Sequence, residues 1–310
     1  MRRASSGHII VTKQTATLPL AHFLLALAVV SIWGSNFVVI KLALGQWPPL
    51  LFAALRFTLA VFPALFFFAR PAVPWQNLAL YGLLIGVGQF GLLYVAMNGH
   101  ISPGIASLVV QIQVFFTIGL SMRLSGERVR VFQWCALLLA SSGIVVILLH
   151  TDGSTTPLGL ALVLLAALSW AGGNMAAKKG RPDNMLAYVV WSSIFAVPPL
   201  FALSFALEGS SAIVSSLREA SFAAWAAIAW QAWGNTLFGY VAWGWLLARH
   251  PAALVTPLAL LVPVFGIGAS ALLLKEPLPA WKLIAMTLVM AGLALNLLWP
   301  RLRAALLVKR

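Results

Sequence analysis

Acidic residues are nearly missing from this chain: there are six among 310 residues, against twenty Lys and Arg. Charged residues of both signs make up 8%, where a soluble domain carries roughly 25%. So few charges cannot cover a water-soluble surface, which excludes an ordinary soluble enzyme and a disordered chain. Cysteine is reduced to Cys135, inside an apolar run, so no intrachain disulfide forms and the redox compartment stays open. No Walker A pattern is present, so the chain itself does not use ATP. HExxH, CxxC and Gly-x-Ser-x-Gly are also absent, which argues against the commoner metal and hydrolase sites. What is present is the reverse: 62% hydrophobic residues in long runs. The net charge of +14 is no nucleic-acid signal, because the basic residues form short clusters between those runs. The composition is that of a polytopic membrane protein, with lipid and a small-molecule solute as partners and no nucleic acid, metal or cofactor.

A helix crossing the hydrocarbon needs about 20 mostly apolar residues. Long continuous runs favour helices over the short alternating segments of a membrane β-barrel. Ten spans are expected, at 20–43, 49–69, 76–98, 103–124, 131–150, 157–178, 185–207, 221–247, 252–274 and 279–299. Turn residues separate them: Pro48-Pro49, Pro71 with Pro74, Ser102-Pro103, Asp152-Gly153, Arg181-Pro182, and Pro277 with Pro279. The connections are short, so no soluble domain is inserted. The first span reads as a signal-anchor helix that is retained. With both termini cytoplasmic, fifteen basic residues fall inside and four outside (Lys41, Arg218, Lys275 and Lys282), with Arg56 inside a span. That bias follows the positive-inside rule and expects a multi-pass membrane protein with residues 1–19 and 300–310 as cytoplasmic tails.

The chain repeats itself. Asn36 and Lys41 in span 1 match Asn174 and Lys179 in span 6 at one offset. Phe90-Gly91 in span 3 matches Phe238-Gly239 in span 8, and Gly126-Glu127 after span 4 matches Lys275-Glu276 after span 9. Each half, 20–150 and 157–299, therefore holds five spans. Five is odd, so the second half enters the membrane upside down. The fold class is an all-α polytopic membrane protein of ten transmembrane helices in two inverted five-helix repeats. Transporters use this arrangement with the site between the halves.

The segments WGSNFVVIK (33–41), LRFTLAVFPALFFF (55–68), GERVRVFQWCALLLASSGIVVILL (126–149) and KEPLPAWKLIAMTLVMAGLALNLL (275–298) carry a resemblance over nearly the whole chain. The chain resembles the drug/metabolite transporter superfamily, EamA type, and within it bacterial aromatic amino acid exporters. The resemblance implies a solute exporter with a central cavity walled by spans 1, 3, 4, 6, 8 and 9, with spans 5 and 10 peripheral.

Polar groups inside a membrane are costly unless paired, so they are candidates for function. Asn36 and Asn174 are repeat mates, read either as cavity walls or as interhelical hydrogen bonds beside Gly34, Gly172 and Gly173. Trp170 shares a helix face with Asn174. In span 3, Tyr94 and Asn98 share a face and Gln89 lies nearly opposite Asn98. In span 4, Gln111 and Gln113 diverge on the helix wheel, so one of them faces the cavity. Span 8 offers Gln231, Asn235, Tyr240 and Trp243. The expected substrate-binding set is Asn36, Tyr94, Asn98, Gln111, Trp170, Asn174, Asn235, Tyr240 and Trp243. Pro257 and Pro263 in span 9, with Glu127 and Glu276 at the span ends, are the expected hinge or gate residues. Trp47, Trp75, Trp281 and Trp299 are expected as interfacial anchors. Trp170, Trp191, Trp230, Trp233 and Trp243 lie mid-span. Arg56 matches the family's span-2 arginine, which suggests a structural role, capping carbonyls or snorkelling.

All six acids lie at span ends or in connections: Glu127, Asp152, Asp183, Glu208, Glu219 and Glu276. Without a midplane acid, uniport or weak proton coupling is expected rather than obligate proton antiport. The expected activity is export of small amphipathic metabolites, aromatic amino acids first, by a monomer or weak homodimer using alternating access. The rival cargoes are nucleosides or purines and cationic drugs. A lipid-acting membrane enzyme is the other class, disfavoured because His100 and His250 fall on opposite faces of the membrane.

Overall fold

The computed structural model describes residues 18–125, 130–150, 155–250 and 252–308. Glu127, residues 1–17 of the expected N-terminal tail and the Asp152-Gly153 turn lie outside the described residues. Among the described residues, nine helices are long and apolar enough to cross a membrane. They are Leu20–Ala43, Pro49–Phe66, Trp75–Met97, Pro103–Arg123, Val131–Leu149, Pro157–Gly180, Met185–Leu207, Thr256–Leu273 and Ala280–Pro300. The expected eighth span is also one unbroken helical run, 222–249. Its Gln, Asn, Gly and Trp residues make it too polar to qualify by hydropathy. The ten are called spans 1 to 10 in chain order. The last helix continues to Val308, beyond the expected end of span 10. The connection between spans 7 and 8 holds a ten-residue helix, Ser210–Glu219, that the sequence reading treats as loop.

Packing relates the two halves. Span 1 packs on spans 8 and 9, and its mate span 6 packs on spans 3 and 4. Spans 2 and 7 pack on each other, and so do spans 5 and 10. Exchanging each span for its mate reproduces these contacts, as a pseudo-two-fold axis requires. The contact between spans 5 and 10 shows it residue by residue. A Cβ on Gly143 would stand 2.7 Å from Val289 and 2.9 Å from the Ala285 carbonyl. A Cβ on Gly292 would stand 2.6 Å from the Ala136 carbonyl and 3.1 Å from the Ala140 Cβ. The numbers 143 and 292, 136 and 285, 140 and 289 differ by the same offset. Small residues here let the two backbones meet, since lipid provides no hydrophobic push between helices.

The end of the bundle bearing connections 44–48, 98–102, 208–221 and 274–279 is called distal; the opposite end is proximal. At the distal end Glu208 accepts hydrogen bonds from the Leu50 and Leu51 amides, 2.6 and 3.0 Å. The Gln46 side chain accepts from the Ser221 amide there. At the proximal end the His22 and His250 rings meet at 2.7 Å and Tyr188 donates to Asn77. These links join connections that alternate crossing puts on one side.

Candidate functional site

Span 2 gives way to a 3-10 turn at Ala64–Phe66 without a counterpart in span 7, but four other spans break their α-helical ladder in duplicated places. Span 3 runs as a π-helix over Leu83–Gly91 and its mate span 8 over Trp230–Phe238. Span 4 tightens to a 3-10 turn at Val110–Ile112 and its mate span 9 at Thr256–Leu260. Such irregularities inside helices mark functional sites often enough to locate one. Glycines in the π segments weaken helix preference, and Pro257 removes a donor at the start of the 3-10 turn. Pro263 is buried at the third position of the following helix, Leu261–Leu273, where its missing N–H belongs to the first turn. Pro257 therefore marks a real change of helix type, whereas Pro263 sits within regular helix.

A buried polar network spans the distal half of the bundle. Asn36 and Gln231 pair amide to amide, at 3.2 and 2.7 Å. The Tyr94 hydroxyl donates to Gln231 Oε1 at 3.2 Å. Arg56 donates from Nη1 to the Tyr94 hydroxyl at 2.9 Å and from Nη2 to Thr236 Oγ1 at 2.6 Å. Thr236 in turn donates to the Gln231 carbonyl, five residues back, at 2.9 Å. The i to i+5 ladder makes this possible, because it brings Gln231 and Thr236 one turn apart where an α-helix would splay them. Arg56, Tyr94 and Gln231 are at most 1% exposed. Arg56 starts about 10 Å below the distal end of span 2. It neither snorkels nor caps a carbonyl with the two Nη groups, contrary to expectation, because neighbouring hydroxyls reach it first.

The repeat mate Asn174 makes a different bond. Its amide donates to Gln113 Oε1 at 3.0 Å and to Thr117 Oγ1 at 3.3 Å, both on span 4. Asn36 is thus tied inside the group of spans 1, 8 and 9, and Asn174 inside the group of spans 3, 4 and 6. Each group mixes helices from both sequence halves.

The group of spans 1, 8 and 9 carries an aromatic set. Trp33 lies 5.3 Å from Trp243 and 6.2 Å from Tyr240, centroid to centroid. Its Nε1 donates to the Asn235 carbonyl at 3.1 Å. Tyr240 also meets Tyr81 from span 3. Trp33, Trp170, Tyr240 and Trp243 are half-buried. The side-chain amides of Gln111 and Asn235 make no hydrogen bond with the described residues, and only Asn235 is buried. Of the two span-4 glutamines it is Gln113 that bonds within the protein.

Asn98 departs from its expected face. Span 3 ends at Met97, and Asn98 leaves the helix at φ −80°, ψ 63°, so helical phase no longer relates it to Tyr94. It lines a distal pocket of about 510 Å³ together with Leu44, Gln46, Trp47, Ser216 and Glu219. Glu276 joins the two groups at the distal end. It accepts from Ser102 Oγ and from the Gly104 amide on span 4, and pairs with Lys282 at 3.0 Å. Trp47 is no interfacial anchor: it is 1% exposed and donates to the Ala224 carbonyl at 3.1 Å. Trp230 and Trp233 are exposed on the bundle surface.

Sequence reasoning passes over Trp33 and Thr236. Trp33 stands three residues before Asn36, so helical spacing was a usable signal. Thr236 was not findable, because only the π segment brings it into phase with Gln231.

The profile of the EamA-like transporter family matches residues 20–149 and again residues 157–298. A protein of Escherichia coli (strain K12) called a probable amino-acid metabolite efflux pump is 42% identical over 291 residues, covering 92% of this chain and 97% of that one. Its counterpart in Salmonella typhimurium, with the same description, is 42% identical over 286 residues, covering 90% and 95%. The uncharacterized inner membrane transporter YedA of Escherichia coli (strain K12) is 30% identical over 257 residues, 81% of each chain. A crystal structure shares the fold at 20% identity and a TM-score of 0.58, covering 91% of this chain and 98% of that one. Duplicated helix breaks, paired packing and two successive matches to one profile agree: the chain belongs to the EamA-like transporter family, and it is a multi-pass membrane transporter rather than an enzyme.

Proposed function

We propose that the chain exports small amphipathic metabolites, aromatic amino acids first, across the bacterial inner membrane as a secondary carrier. The observation that carries this reading is the set of Trp33, Tyr240 and Trp243 beside Asn235, whose side-chain amide is unbonded, with a second unbonded amide at Gln111 on span 4. Flat aromatic faces receive an aromatic ring, and free amides receive the polar end of a zwitterion. The relatives named as amino-acid metabolite efflux pumps support the same cargo class. Trp170 and Tyr94 flank the route, Asn98 lies at its distal mouth, and Asn36 and Asn174 hold the helix groups together. The proximal end, with both termini, faces the cytoplasm on the count of basic residues.

Transport works by alternating access. Spans 1, 8 and 9 part from spans 3, 4 and 6, first at one end and then at the other. Glu276 with Ser102, and Tyr94 with Gln231, hold the distal side shut until the solute shifts the balance. With every acid at a span end or in a connection, the carrier runs as a uniporter or couples weakly to protons. The same lack of mid-depth carboxylates disfavours cationic drugs.

Reconstituted vesicles loaded with unlabelled phenylalanine test this. Labelled phenylalanine or tryptophan should enter by saturable counterflow, with little change when a pH gradient is imposed. Absence of any protein-dependent movement of either solute overturns the substrate assignment.

A further inference from the structure

Among the described residues, Arg56 is a cation without a counter-ion. It lies near the middle of span 2, 1% exposed, and both of its bonded partners, Tyr94 and Thr236, are neutral. Its Nε has no partner among the described residues. Its guanidinium carbon is 3.9 Å from the Phe90 ring centroid and 4.9 Å from that of Phe57, which offsets part of the desolvation. The acids among the described residues are elsewhere. Glu208 and Glu276 cap helix starts at the distal end, and Asp183 and Glu219 lie in connections. A buried unpaired charge is costly to keep, and intramembrane ionisable groups face a pathway or a partner. Among the described residues no anionic partner lies within the spans.

Resting on the amino-acid reading above, we propose that Arg56 is the docking point for the carboxylate of the transported solute, which displaces the Tyr94 and Thr236 hydroxyls from the guanidinium. A carboxylate matches the guanidinium fork with two charge-assisted bonds, stronger than the two neutral acceptors it replaces. The orientation of the solute follows. Its carboxylate points distally to Arg56, and its side chain lies proximally against Trp33, Tyr240 and Trp243. Release follows as well. Tyr94 rides on the group of spans 3, 4 and 6, and Thr236 on the group of spans 1, 8 and 9. Arg56 bridges the two groups only while it holds both hydroxyls. A carboxylate that takes their place unties this distal bridge, so loading favours opening. Solutes lacking a carboxylate leave the bridge intact.

Binding to the purified full chain in nanodiscs is the test, with L-phenylalanine, 3-phenylpropionate, phenylalanine amide and phenethylamine as probes. The wild type should bind the two carboxylates at least about tenfold more tightly than the amide and the amine, the scale of one charge-assisted bond. Arg56→Gln should erase that preference, and Arg56→Lys should keep part of it. Tyr94→Phe removes a competitor for the guanidinium, so it should tighten both carboxylates and leave the amide unchanged; a merely structural Arg56 predicts no such gain. If Arg56→Gln does not fold, the Tyr94→Phe and Arg56→Lys results decide. Equal binding of acid and amide by the wild type, or looser carboxylate binding by Tyr94→Phe, overturns the proposal while leaving an aromatic carrier standing. Arg56-dependent binding of alanine or pyruvate, with no binding of any phenyl probe, keeps the carboxylate site and overturns the aromatic assignment. No binding of any of these solutes overturns both.

Discussion

Asn36 and Asn174 occupy matching places in the two repeats, yet each bonds a neighbour within its own helix group. Asn36 pairs with Gln231, and Asn174 with Gln113. These are fasteners more than solute ligands, and energetics separates the two roles. Asn36→Ala leaves Gln231 Nε2 without its acceptor, though Tyr94 still donates to Oε1, and should cost about 1–2 kcal/mol in thermal or detergent unfolding. The double variant with Gln231→Leu should cost less than the sum of the single changes, because no orphan amide remains. Gln111 and Asn235 should behave in the opposite way. Gln111→Leu or Asn235→Leu should leave unfolding nearly unchanged and lower counterflow by about tenfold, as loss of a solute hydrogen bond would. A change in unfolding without a change in flux would reverse that assignment.

At the scale of elements, the breaks in spans 3, 4, 8 and 9 are where side-chain phase changes. Helix-wheel reasoning sets Gln111 and Gln113 on different faces, and in the structure Gln111 is the middle residue of a short 3-10 turn while Gln113 opens the helix after it. It fails at Thr236, which shares a face with Gln231 only through the π ladder, and at Asn98, which lies past the helix end. Apolar length identifies a span but carries no information on which hydrogen-bond ladder it uses. Spans 5 and 10 are regular and meet through Gly143 and Gly292. Gly143→Val should destabilise the protein by about 1–3 kcal/mol through overpacking, and Gly292→Val by a similar amount, since the repeat gives both the same surroundings. Unfolding in mixed micelles reads both. A large effect at one glycine and none at the other would break the equivalence.

For the whole molecule, the sequence halves and the packed groups are different partitions. Periodicity and repeated motifs divide the chain at residues 150–157. Packing instead assembles spans 1, 8 and 9 against spans 3, 4 and 6. Alternating access then works by separating mixed groups, with each half contributing to both walls. The inverted topology has a direct test in a Cys135→Ser background. Leu20→Cys at the proximal end and Leu158→Cys at the distal end are both on exposed side chains. An impermeant maleimide applied to intact cells should label Leu158→Cys, and should reach Leu20→Cys only after permeabilisation. Labelling of both from the same side would remove the topology and the carrier mechanism with it.

Composition by itself determined that this chain lives in a bilayer, because so few charges cannot face water. Apolar run lengths marked nine of the spans, and repeated motifs marked the eighth and the two halves, since both signals are local in sequence. The tertiary structure decided which polar groups are already bonded, because an amide's partner lies on another helix more than fifty residues away. It also decided that Arg56 sits buried between two neutral hydroxyls rather than at a membrane surface. Depth, neighbours and the absence of a nearby acid are properties of the packed bundle, and no single segment encodes them.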